Sequence, residues 1–110
     1  MIVSLGLIVP TPGTPLRVTN NQAAPADRYA VHGLLIQARP TNIGRIYVGL
    51  VGMNKAALAG LLGLLAVPTS NVLPSFSIAL TLAPNAINAA DIYVDSDNVA
   101  DGVIVSALIA

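Results

Sequence analysis

Apolar and polar positions alternate with a period of two along much of this chain, and proline, glycine or asparagine interrupts the alternation every few residues. Residues 74–82 are the clearest case. Phe76, Ile78, Leu80 and Leu82 fall on one side, and Ser75, Ser77, Ala79 and Thr81 on the other. That is the pattern of a strand with one apolar face. Residues 28–38 predict a second strand, with Tyr29, Val31, Gly33, Leu35 and Gln37 on one face and His32, Leu34, Ile36 and Ala38 on the other. Both of its faces are mostly apolar, so it is expected to be covered on each side. Residues 45–51, rich in β-branched and aromatic side chains, predict a third. Shorter strands are expected at 2–9, 16–19, 92–95 and 103–109.

Turn signals separate these pieces. Pro10, Pro12 and Pro15 fall within six residues, which excludes a helix there. Arg39-Pro40-Thr41-Asn42-Ile43-Gly44, Ala83-Pro84-Asn85 and residues 96–102 read as further turns. Residues 55–66 are ambiguous. Leu58, Leu61, Leu62 and Leu65 stand at helical spacing, yet Gly60 and Gly63 each cost about 1 kcal/mol in a helix interior. A short helix or an irregular loop is expected there. Seven to eight short strands in a single domain point to a β-sandwich or jelly roll. Residues 1–27 would form an N-terminal strand or extended arm with a Pro-rich loop, and residues 28–110 the body.

Composition sharpens this picture. Of 110 residues, 9% are charged and 55% hydrophobic, and the mean hydropathy is +0.75. An average soluble domain carries roughly 25% charged residues. A domain of about 100 residues buries only about two-thirds of the surface of its unfolded chain. Part of the apolar exterior is therefore expected to be covered by protein neighbours.

The formal net charge is zero, so nothing draws the chain to nucleic acid by charge alone. There is no cysteine, which excludes disulfides and thiolate chemistry. Residues 1–9 lack the basic start of a secretory signal. The longest apolar run, residues 56–67, has 12 residues where a spanning helix needs about 20. No membrane partner is expected.

Candidate chemistry is sparse. His32 is the one histidine and lies in an apolar strand, where a structural role is the simplest reading. No nucleophile motif accompanies it, and an enzyme is not expected. Asp95, Asp97, Asn98 and Asp101 before Gly102 form the one acidic cluster. Hard oxygen ligands at such spacing can hold calcium, but Asp and Asn also serve the backbone of tight turns. The turn is the favoured reading, with no metal and no cofactor. The basic residues Arg17, Arg28, Arg39, Arg45 and Lys55 precede Asp91, Asp95, Asp97 and Asp101. Ion pairs between strands or between subunits would account for that order.

Gln37-Ala38-Arg39-Pro40-Thr41-Asn42-Ile43-Gly44-Arg45-Ile46-Tyr47-Val48-Gly49 resembles a pattern of small β-structured virion proteins of tailed bacteriophages. There a strand ending in Ala, a turn with Asn and Gly, and a strand ending in Val-Gly follow one another. Leu82-Ala83-Pro84-Asn85, Asp91-Ile92-Tyr93-Val94-Asp95 and Asp101-Gly102-Val103 resemble the later turn, Tyr-Val strand and closing strand. Asn85 stands where glycine is usual, and the leucine-rich stretch replaces a more polar loop.

The resemblance implies a non-enzymatic structural component, a capsid decoration or cement protein on the capsid surface of the virion. Its partners would be the major capsid protein and copies of itself, as a trimer or dimer. A tail-tube, fibre or head–tail component is the alternative, and a small membrane-active phage protein a more distant one. An N-terminal arm suits strand addition to a neighbouring sheet. The expected contact residues are Ile2, Val3, Leu5, Leu7 and Ile8 in that arm, with Leu58, Leu61, Leu62 and Leu65 in the leucine-rich stretch.

Overall fold

In the computed structural model, residues 1–23, 29–69, 72–78 and 87–109 are described, with backbone alone for 76–78. They form ten strands: β1 (Ile2–Ile8), β2 (Leu16–Arg17), β3 (Ala30–Val31), β4 (Gly33–Ala38), β5 (Ile46–Asn54), β6 (Ala59–Leu65), β7 (Ser75–Ile78), β8 (Ile87–Asn88), β9 (Ile92–Ser96) and β10 (Val103–Leu108). A 3-10 turn at Ala89–Asp91 is capped by Asn88, whose side-chain oxygen accepts from the Ala90 amide. The all-β fold expected from the sequence is the fold adopted.

Four antiparallel pairings, β1 with β10, β2 with β9, β4 with β7 and β5 with β6, are those of one long hairpin. Two more, β10 with β4 and β9 with β5, roll that hairpin into sheets ordered β1-β10-β4-β7 and β2-β9-β5-β6. This is the jelly-roll form of a β-sandwich. The short β3–β8 pair stands apart from both sheets.

Strand register builds the core. In the first sheet Ile8, Val103 and Ala38 stand side by side, then Val105 and Ile36, then Val3, Ala107 and Leu34. In the second, Val94 pairs with Val48, and Ile46 stands beside Leu65. These side chains join Leu5, Val18, Val31, Ala89 and Ile92 in one buried cluster, with Val3 packed against its margin. The two sheets therefore share a core, in which each large aliphatic side chain contributes about 1.5–3 kcal/mol by burial.

Several local expectations change. Residues 2–8 form the edge strand of this chain's own first sheet, and the Met1 ammonium donates to the Ile109 carbonyl at 2.9 Å. A bulge in β1 skips Leu5 between the paired Ser4 and Gly6. The extra residue resets the alternation, so Leu5 and Ile8, three positions apart, both enter the core. Residues 55–66 hold no helix. A turn at 55–58 leads into β6, because the two glycines weaken a helix and pairing with β5 satisfies the backbone instead.

The strand expected over 28–38 bends at His32, whose amide donates to the Leu108 carbonyl at 2.7 Å. Before the bend Val31 is buried in the core, and past it β4 is covered mainly on one face. Leu34, Ile36 and Ala38 are buried, while Leu35 is exposed. Of the strand expected over 74–82, the backbone of Ser75–Ile78 forms β7. Residues 79–82, the inward face expected of Phe76, Ile78, Leu80 and Leu82, and the turn at Ala83-Pro84-Asn85 lie outside what is described.

Candidate interaction surface

The β5–β6 hairpin departs from a regular ladder. Gly49 pairs with Leu61, but the next pair is Asn54 with Ala59, so β5 spends three more residues than β6 over the interval. Gly49 allows this buckle. A Cβ there would lie 2.5 Å from the Gly60 carbonyl oxygen, and Met53 folds over the same spot. At the tip, the Asn54 side-chain oxygen accepts from the amides of Ala56 at 3.0 Å and Ala57 at 3.1 Å. Leu58 completes the turn with a φ of 55°. The hairpin so shaped exposes Leu50, Val51, Leu58, Leu62 and Leu64, and Val67 just after it.

One polar cluster fastens this hairpin to the turn after β9. Lys55 donates from Nζ to the Ser96 carbonyl and stands 3.6 Å from Asp97 Oδ1. Arg45 Nε lies 3.5 Å from Asp97 Oδ2, and the Tyr47 hydroxyl donates to the same oxygen at 3.1 Å. Both cations also lie over the Tyr47 ring, at 5.6 Å for Arg45 and 5.9 Å for Lys55. Burial raises the Tyr47 pKa above the ordinary phenol value, and the hydrogen bond and negative charge of Asp97 add to the rise. The cluster resembles a fastening more than a reactive centre, since Asp97 is shared between the two cations and the Tyr47 hydroxyl.

A second network holds one end of the sandwich. Asn42 donates to the Gly102 carbonyl and accepts from the Gly102 amide, both at 2.8 Å. Asp101 accepts from the Ile43 amide at 3.0 Å and from the Gly44 amide at 2.7 Å. Asp95 accepts from the amides of Gly13 at 3.0 Å and Ser96 at 2.8 Å. The three carboxylates of the acidic cluster thus face different neighbours; two of them serve backbone donors, and apart from Ser96 these belong to other segments of the chain rather than to the turn itself. Among the described residues no three His, Cys, Asp or Glu side chains converge as a metal-ligand set. The loops so held present Ile43, 71% exposed, and Val99, 79% exposed.

The expected contact residues divide. Ile2, Leu7, Leu58 and Leu62 are exposed, and Val3 and Leu61 are half-buried. Leu5, Ile8 and Leu65 are at most 2% exposed and belong to the chain's own core; the bulge in β1 and the inward phase of Leu65 remove them from any outer surface. Ile43, Leu50, Val51, Leu64, Val67 and Val99 are also exposed, and none of them was among the expected contacts. Ile43 and Val99 carried a signal, for each is an aliphatic residue set among turn formers.

His32 sits half-buried at the bend between β3 and β4. Of the ion pairs expected from the charge order, Arg45 and Lys55 with Asp97 form within the chain, while Arg28 lies outside the described residues. Among the described residues no helix is long and apolar enough to cross a membrane, which says nothing of crossing by strands. Compared with protein-family models, curated proteins and solved structures, the chain matches none.

Proposed function

We propose that this protein is a non-enzymatic structural component of a tailed-phage virion, a capsid decoration or cement subunit that binds the major capsid protein at the head surface. The observation that carries the reading is the run of exposed aliphatic side chains on the β5–β6 hairpin. Scattered surface leucines are ordinary. Leu50, Val51, Leu58, Leu62, Leu64 and Val67 come from 18 consecutive positions in which Lys55 is the one charged residue, and concentrated apolar surface marks a protein contact.

The fastening of that hairpin supports the same reading, because a surface held in shape before binding loses less entropy on docking. The resemblance of residues 34–109 to small phage virion proteins supplies the setting, and jelly rolls recur among capsid domains. The test is to purify particles from the source culture on a density gradient, identify their proteins by mass spectrometry and label them with antibody against this chain. Many copies per particle with label spread over the head are expected. Label confined to the tail would transfer the reading to a tail-tube, fibre or head–tail component, and particles without the chain would reject a virion role.

A further inference from the structure

A jelly roll has four sheet edges, and this chain treats them differently. The free edge of β1 is occupied by side chains, since Asn21 Nδ2 donates to the Leu7 carbonyl at 2.8 Å and Gln22 Nε2 to the Leu5 carbonyl at 3.3 Å. β2 has only two residues. β7 has four and follows Pro74. β6 has seven residues, without proline or charge, and none of the described side chains is bonded to its outer edge. Exposed strand edges of that kind pair with other strands unless they are blocked.

We propose that β6 pairs antiparallel with β6 of a second copy of this chain, joining the two β2-β9-β5-β6 sheets into one sheet of eight strands across a two-fold axis. This deepens the proposed structural role and rests on it for its biological setting. A second copy is the occupant the chemistry favours. The strand offers no charge to recognise an acidic or basic partner, and the chain's formal net charge is zero, so copies meet without repulsion. Lys55, the nearest charge in sequence, is already engaged by Asp97 and the Ser96 carbonyl.

A two-fold axis also demands that one patch complement itself. Leu62 and Leu64 meet that demand. They share a phase in the strand and are exposed to nearly the same degree, 45% and 44%. With the axis at Gly63, each Leu62 lies across from Leu64 of the other copy, and the closest point of the two backbones has no side chain. The bulge that places Leu62 between the pairs Gly63 with Val48 and Leu61 with Gly49 confines the new ladder to the symmetric segment from Leu62 to Leu64.

Sedimentation velocity of the whole chain over a dilution series tests this, with the double variant Leu62→Lys/Leu64→Lys and the control Val99→Lys. Both changes lie on exposed side chains, and circular dichroism with a melting curve verifies that each variant folds. The wild type and Val99→Lys are expected to sediment as dimers at micromolar concentration. The double variant, with four ammonium groups facing one another, is expected to associate at least about tenfold more weakly.

Hydrogen exchange gives a second readout. The β6 amides not bonded to β5 are expected to be protected in the wild type and to exchange faster in the double variant. A monomeric wild type, a trimer, or a dimer that survives in the double variant would overturn the pairing. A monomer that nevertheless decorates heads would overturn the pairing and leave the virion role standing. A dimer missing from particles would do the reverse.

Discussion

The side-chain amide of Asn42 and the backbone of Gly102 hold each other through two hydrogen bonds of 2.8 Å, one in each direction. Sixty residues separate them in the chain, and both are buried. This reciprocal pair, with Asp101 on the amides of Ile43 and Gly44, fixes the loop between β4 and β5 against the loop between β9 and β10. The Asn42→Ala variant would leave the buried Gly102 amide without a partner, while the Gly102 carbonyl keeps the Arg39 amide at 2.9 Å. A loss of about 1–3 kcal/mol in unfolding free energy is expected from one such group, measurable by urea denaturation. A loss below about 0.5 kcal/mol would show that water replaces the amide without cost.

Lys55 acts on the hairpin locally. Lys55→Met keeps an unbranched apolar chain over Tyr47 and removes the ammonium that reaches Ser96 and Asp97. Global stability is expected to fall by no more than about 1 kcal/mol, as for other partly exposed ion pairs. Hydrogen exchange at the Ala56 and Ala57 amides is expected to accelerate. Unchanged exchange there would show that the Asn54 turn holds the tip without the lysine.

Tyr47 makes stability depend on alkaline pH. Its folded pKa lies above that of the unfolded chain, chiefly through burial and secondarily through Asp97. The folded state therefore keeps a proton that the unfolded state releases near pH 10. The stabilisation is complete below that pH and is lost as pH rises through the folded pKa. Melting temperatures measured between about pH 8 and pH 11 should fall at the upper end for the wild type, and less steeply for Tyr47→Phe. Parallel profiles would place the alkaline transition on another group.

Ala100 adopts a φ of 71°, a left-handed backbone that costs a residue with a Cβ about 1 kcal/mol relative to glycine. Its carbonyl accepts from Arg39 Nη1 at 3.1 Å, so the conformation is held in place. Ala100→Gly is expected to raise stability by up to about 1 kcal/mol, reduced by the greater freedom glycine gives the unfolded chain. Thermal denaturation measures it, and a lower melting temperature would show that the unfolded-state term prevails.

The strand content was legible because alternation and turn residues act locally. Residues 45–51 and 103–109 became β5 and β10 for the reasons their patterns gave. Three features were not legible, each because a distant contact decides it. The phase of β1 depends on a bulge that only its pairing with β10 defines. The strand in the leucine-rich stretch depends on β5, which satisfies a backbone that local propensity left undecided.

The third is the one-sided burial of β4, which depends on which face the second sheet covers. The turn at 97–100 was legible, yet the Gly13, Ile43 and Gly44 amides that Asp95 and Asp101 serve come from residues far away in sequence. The exposed aliphatic surface was half legible. The leucine spacing marked the hairpin, but Leu65 points inward, while Leu50, Val51 and Leu64 reach the exterior through the buckle and register.

The proposed role requires that protein cover the exposed aliphatic side chains of the β5–β6 hairpin. A cryo-electron microscopy reconstruction of gradient-purified particles, at a resolution that shows side chains, tests it most directly. The account predicts the sandwich in regular copies on the head, with Leu50, Val51, Leu58, Leu62 and Leu64 packed against protein. Copies whose hairpins all face solvent, or particles that lack the sandwich, would contradict it.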